Sequence, residues 1–139
     1  MVVTGLPPIG CLPIQQTLSI RHLFDRDCVE ERNTDSRVYN QKLSKLLRNL
    51  EPQLSGSKFF YNDMYDMVHN PKKYGFEHTN KGCCGTGLKE AGPLCNLITP
   101  TCKNASRYLF YDSIHPTEAA FEVIGDSVMR KLGHFLYRN

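Results

Sequence analysis

The chain has 139 residues, 17 basic and 14 acidic, for a net charge of +3, and is 40% hydrophobic and 22% charged. Its basic residues are scattered rather than gathered in a stripe, which argues against nucleic-acid binding, and no apolar run approaches the ~18 residues of a membrane span. This length holds one domain at most, and nothing in it reads as a repeat or as low complexity.

Met1 to Gly5 reads as a strand or the end of one, because Val2, Val3 and Thr4 are β-branched and Gly5 opens a loop. The loop GLPPIGCLP, Gly5 to Pro13, is too rich in Gly and Pro to be helix, and a polar stretch follows to Asn33. With Asn33 or Thr34 as cap, a helix is predicted to run to about Glu51 and stop at Pro52. Tyr39, Leu43, Leu46, Leu47 and Leu50 fall on one face of it, a stripe that needs burial.

Lys58 to Tyr61 reads as a short aromatic strand, and Met64 to Val68 as one or two helical turns closed by Asn70-Pro71. Tyr74 to Arg107 shows no sustained period, and a loop of that length is usually functional or cross-linked. Leu109 to Tyr111 is short and apolar. Pro116 to Tyr137 is predicted as a helix with Pro in its first turn, burying Phe121, Ile124, Val128, Leu132 and Phe135. Strand, loop, helix, strand, long loop and closing helix is an α/β order, but two strands with two or three helices are too few to close such a fold.

Cysteines stand at 11, 28, 83, 84, 95 and 102, an even number that suits disulfides and allows 15 pairings. No CxxC or Cys/His pair has zinc-finger spacing, so no metal site is expected. Asn104-Ala-Ser106 is a glycosylation sequon, and with the cysteines it points to an oxidising compartment. Yet MVVTGLPPIGCLPIQQ lacks the basic leading segment of a signal peptide, and Pro7 and Pro8 interrupt its apolar stretch. The chain is expected to have lost its beginning.

Asp112 and His115, in YDSIHPTE, are the residues that point to chemistry. A serine hydrolase needs a His to take the hydroxyl proton and an acid to hold the imidazole tautomer. The plainer alternative is that Asp112 or Ser113 caps the last helix. GLPPIGCLP, KYGF, KGCCGTG and FYDSIHPTE, in this order and at these separations, resemble the C-terminal part of the plant GDSL-type esterase/lipase family. The resemblance runs from Val2 to the last helix. It implies the C-terminal portion of a three-layer α/β/α SGNH-hydrolase (flavodoxin-like) fold with a parallel sheet, incomplete in residues 1–139. It also implies Asp112 as triad acid and His115 as base, with Gly5 to Pro13 as the proline-rich loop after a core strand. The expected substrates are esters or lipids, with no cofactor and a secreted location; the oligomeric state stays open.

The resemblance further implies a Ser in a Gly-Asp-Ser-Leu motif, an oxyanion Gly and a Gly-x-Asn-Asp block, none of which has a proper match here. Gly125-Asp126-Ser127-Val128 comes near, but Ser127 is twelve residues past His115 in a predicted helix, ~18 Å along its axis. A nucleophile and its base must meet within ~3 Å. Asn62-Asp63 has Phe60 where the block needs Gly, and reads as a strand-end turn. His22, His69, His78 and His134 lack a paired acid and read as surface residues; Tyr74 and Phe76 either shape a substrate entrance or pack the loop. The nucleophile is therefore expected upstream of Met1. Two alternatives to an incomplete esterase remain, a non-catalytic truncated product and a disulfide-stapled interaction module.

Overall fold

A computed structural model describes residues 1–19 and 26–137, the Leu136 side chain excepted. The β-branched start forms strand β1 (Val2–Thr4), which pairs in parallel with β2 (Phe60–Asn62), Val3 opposite Tyr61. β2 therefore lies one residue or more beyond the predicted Lys58–Tyr61. Parallel neighbours need a crossover, and helix α2 (Glu30–Leu50) supplies it. Among the described residues a second parallel pair joins β3 (His78–Gly82) to β4 (Tyr108–Phe110). With α1 (Pro13–Leu18), α3 (Tyr65–His69) and α4 (Glu118–Tyr137), this is a partial α/β fold.

Several expectations are corrected. The proline-rich loop is not free of helix: a 3-10 turn covers Ile9–Cys11, and Pro13 opens α1. Proline suits a first helical position because its missing N–H would go unpaired there anyway. Helix α2 begins at Glu30, so Asn33 and Thr34 lie inside it rather than at its cap. Its inward face is Asn33, Ser36, Leu43, Leu47 and Leu50, while Tyr39 and Leu46 stand about half exposed. The inward start is polar because it meets the backbone of the proline-rich loop. Asn33 Oδ1 accepts from the Gly10 N–H at 2.9 Å, and Ser36 Oγ from that of Ile9 at 3.3 Å. Gly10 permits this approach, since a Cβ there would sit 2.1 Å from the Val29 carbonyl oxygen.

β3 was missed because HTNKG has no apolar alternation; its place comes from pairing with β4. In α4, Phe121 is exposed and the inward side is Ala120, Val123, Ile124 and Val128. The core gathers Cys11, Met67, Val68, Phe76, Leu109, Phe110 and Ala120. Phe76 thus packs the interior. α4 also reaches β2, where the Phe135 and Phe60 rings lie 5.7 Å apart. No helix among the described residues is long and apolar enough to cross a membrane.

All six cysteines pair: Cys11–Cys28, Cys83–Cys102 and Cys84–Cys95. The loops they close span sequence separations of 17, 19 and 11 residues. Each such bridge removes roughly 3 kcal/mol of denatured-chain entropy in the loop-closure account. Thiol titration of unreduced protein in denaturant is accordingly expected to find no free thiol. Two or more would contradict this pairing.

Candidate active site

Asp112 and His115 stand on the seven-residue connection, 111–117, between β4 and α4. The turn is closed at its base by a bridge between Phe110 and Pro116 and by the Tyr111 N–H on the His115 carbonyl at 2.8 Å. The helix that follows is capped by Thr117, whose Oγ1 accepts from the Ala120 N–H at 3.2 Å. Asp112 and Ser113 are therefore not its caps. Instead Asp112 turns back on its own loop. Its Oδ1 accepts from the N–H groups of Ile114 (2.7 Å) and His115 (2.6 Å). Its Oδ2 meets His115 Nδ1 at 2.8 Å and accepts from the Gly92 N–H at 3.3 Å.

The two partners differ in exposure. The Asp112 side chain is 5% exposed and that of His115 63%. Burial pushes the Asp112 carboxyl up, but the hydrogen bonds from His115, main chain and ring, and from Ile114 and Gly92 outweigh it and hold the group below its ordinary value. An ionised carboxylate only accepts, so Nδ1 must carry the proton toward it. With the proton on Nδ1, the acceptor of a neutral imidazole would be Nε2. The unit is a fixed carboxylate behind an accessible imidazole.

Two other motifs come together here. The Ile14 N–H, in α1, donates to the Ser113 carbonyl at 3.1 Å, so the proline-rich segment supports the turn from one side. From the other side comes the segment after KGCC, where the Ser113 N–H donates to the Glu90 carbonyl at 2.8 Å. The Gly92 amide and Glu90 went unnoticed in the sequence. Their only signal was the glycine spacing, Gly85, Gly87 and Gly92, all with positive φ in the structure.

The remaining candidates lie elsewhere. Ser127 sits within α4, at a cavity of about 100 Å³ lined also by Asn62, Met67, Tyr74 and Ile124, but by neither Asp112 nor His115. Asn62 ends β2, and Asp63 Oδ1 accepts from the Tyr65 N–H at 2.9 Å, a strand-end turn. His69 and His134 are exposed; His78 is half-buried and stacks on Tyr108 at 4.2 Å. His22 lies outside the described residues. Tyr74 donates its hydroxyl to Asp66 Oδ2 at 2.9 Å, and hydrogen bonds from Lys73, Asn70 and Tyr74 pull that carboxyl down to about 2. Together these contacts tie α3 to the turn that follows it.

The sequence profile of the GDSL-like Lipase/Acylhydrolase family matches residues 1–128. The chain belongs to this family. Among its relatives in Arabidopsis thaliana, GDSL esterase/lipase At2g30310 is 54% identical over 132 residues, 92% of this chain and 36% of the relative. GDSL esterase/lipase At2g31550 is 52% identical over 130 residues, 91% of this chain and 36% of the relative. GDSL esterase/lipase At2g40250 is 51% identical over 140 residues, 95% of this chain and 39% of the relative. This GDSL family chain thus spans little more than a third of the length of the relatives it matches.

The loop behind the pair should respond to acid. Burial pushes the Glu90 carboxyl up, but hydrogen bonds from the Thr86 hydroxyl and the main-chain amides of the turn outweigh it and hold the group down at about 2, against an ordinary 4.5. A carboxyl depressed in the folded state contributes stability that is complete above its unfolded value and lost as pH falls through its folded value. Amide exchange at Leu88, Lys89 and Gly92 is expected to be protected at pH 5 and to lose that protection on titration to pH 2. Protection unchanged at pH 2 would contradict the assignment.

Proposed function

We propose that Asp112 and His115 are the acid and base of a serine ester hydrolase acting by acyl transfer. The observation that carries this reading is the 2.8 Å contact between a buried carboxylate and an exposed imidazole. In the reaction, His115 Nε2 takes the proton of a serine hydroxyl as its oxygen attacks an ester carbonyl. The tetrahedral intermediate collapses, and the protonated imidazole gives the proton to the departing alcohol. Water then enters and attacks the acyl carbon as it loses its proton to the same nitrogen, and the imidazolium returns that proton to the departing serine oxygen, which frees the carboxylic acid. Asp112 keeps Nδ1–H fixed throughout and stabilises the imidazolium that forms in each half.

The serine and the oxyanion donors belong, in this reading, to sequence outside these 139 residues. Backbone and Asn donors of the usual kind contribute roughly 2.7–4 kcal/mol each to lowering the barrier. The substrates are carboxylic esters, lipid esters included, and no metal or organic cofactor takes part. The three disulfides and the exposed sequon at Asn104 support a secreted, glycosylated protein.

The test is a graft. These 139 residues replace the matched segment of GDSL esterase/lipase At2g31550, and the hybrid is assayed with a short p-nitrophenyl ester and a fluorophosphonate probe. Turnover within about tenfold of the parent, with a labelled serine in the parent-derived part, is expected. A folded hybrid that takes neither probe nor ester would overturn the reading in favour of a non-catalytic chain.

A further inference from the structure

We propose that Glu90 is a positioning residue for the Asp112–His115 pair: its carboxylate folds the 86–92 turn so that the turn's main chain grips both sides of Asp112. The inference rests on the reading of that pair as acid and base. Both Glu90 oxygens face the Thr86 hydroxyl, at 2.8 and 2.7 Å, and Oε2 also lies 3.2 Å from the Leu88 N–H and 3.4 Å from the Lys89 N–H. The turn is thus wound around one carboxylate.

What the turn presents outward explains why this matters. The Glu90 carbonyl accepts from the Ser113 N–H, and the Gly92 N–H donates to Asp112 Oδ2, the oxygen that meets His115 Nδ1. Two main-chain groups just after Glu90, one on each side of Ala91 Cα, therefore fix the peptide after Asp112 and the carboxylate itself. The local bonds from Ile114 and His115 orient Oδ1, but no bond within the DSIH turn restrains Oδ2 other than that to the imidazole. Gly92 supplies the restraint from outside.

Close packing of glycines lets the turn take this shape. Gly87, at φ +72°, lies so close to Gly82 that a Cβ would sit 2.2 Å from the Gly82 carbonyl oxygen, and a Cβ on Gly85 would sit 2.7 Å from Glu90 Cγ. These glycines let the chain close around the carboxylate, and Cys84–Cys95 closes it covalently. Thr17 Oγ1 donates to the Leu88 carbonyl at 2.9 Å, anchoring the turn to α1.

The experiment reads the His115 ring in the oxidised chain by long-range proton–nitrogen correlation, without substrate, in Glu90→Gln and Thr86→Val. Gln keeps the size but places an amide NH₂ among donors; Val removes the hydroxyl and keeps the charge. Both variants are expected to keep the amide spectrum outside the turn and to move His115 from the Nδ1–H signature toward that of an unrestrained imidazole. In the grafted enzyme each should lower kcat on the order of tenfold with KM unchanged. Altered amide signals at 86–92 with an unmoved His115 ring would overturn the proposal, because Glu90 would then shape only its own loop. If Glu90→Gln failed to fold, Thr86→Val would decide on the same signal. Failure of the catalytic reading is separate: it would show as ester turnover that survives loss of His115, whatever the ring signal does.

Discussion

Replacing His115 by Ala in the grafted enzyme is expected to lower kcat about 10⁶-fold, leaving the probe-reactive serine almost silent. Without Nε2 the serine loses its proposed base and attacks as a poor nucleophile. Asp112→Asn should be milder, a fall of roughly 10⁴-fold with substrate binding retained. An Asn side chain can still accept from the Ile114 and His115 amides, so the turn survives. It puts a neutral NH₂ donor where Oδ2 stood, so the Nδ1–H tautomer loses its anchor and the imidazolium its counter-charge. Kinetics with a short p-nitrophenyl ester would check both. An Asp112→Asn enzyme at parental kcat would mean that the 2.8 Å contact is structural only.

Asn33→Ala is expected to destabilise the fold by about 3 kcal/mol, a large share of the 5–15 kcal/mol that a domain of this kind has. Asn33 is fully buried, and its amide reaches three ways. Oδ1 accepts from the Gly10 N–H, while Nδ2 donates to Glu30 Oε1 at 2.8 Å and approaches Cys11 Sγ at 3.5 Å. Alanine leaves the Gly10 amide buried without a partner and opens a void beside the Cys11–Cys28 bridge. Melting by circular dichroism, with Thr34→Ala on the exposed neighbouring position as the control, would measure it. Equal melting temperatures for the two would remove Asn33 from the account.

How far the chain could be read depended on whether a feature is local. β1, α3 and α4 were legible, because β-branched residues, Asn-Pro punctuation and a 3.6-residue period act over a few neighbouring positions. That Asp112 and His115 meet was legible for the same reason: two side chains three positions apart on one tight turn lie within reach of each other. β3 was not legible, since its polar residues become a strand only by pairing with β4, some thirty residues away.

The misread faces of α2 and α4 show the same limit. A leucine stripe was expected to point inward, yet Leu46 and Tyr39 face out while Asn33 and Ser36 are buried. Periodicity locates an apolar face only when the partner surface is apolar; here the partner at the start of α2 is bare backbone, which needs hydrogen bonds. The cysteine pairing and the Glu90 turn belong to this class as well.

The sequence by itself determined the α/β order, the acid and base candidates on one turn and an even set of cysteines, because these depend on residue type and short spacing. Only the tertiary structure decided which cysteines join, that Thr117 rather than Asp112 caps α4, and that Gly92 reaches Asp112 Oδ2. Those contacts join residues far apart in the chain, and their energies depend on a geometry that exists only once the segments have packed.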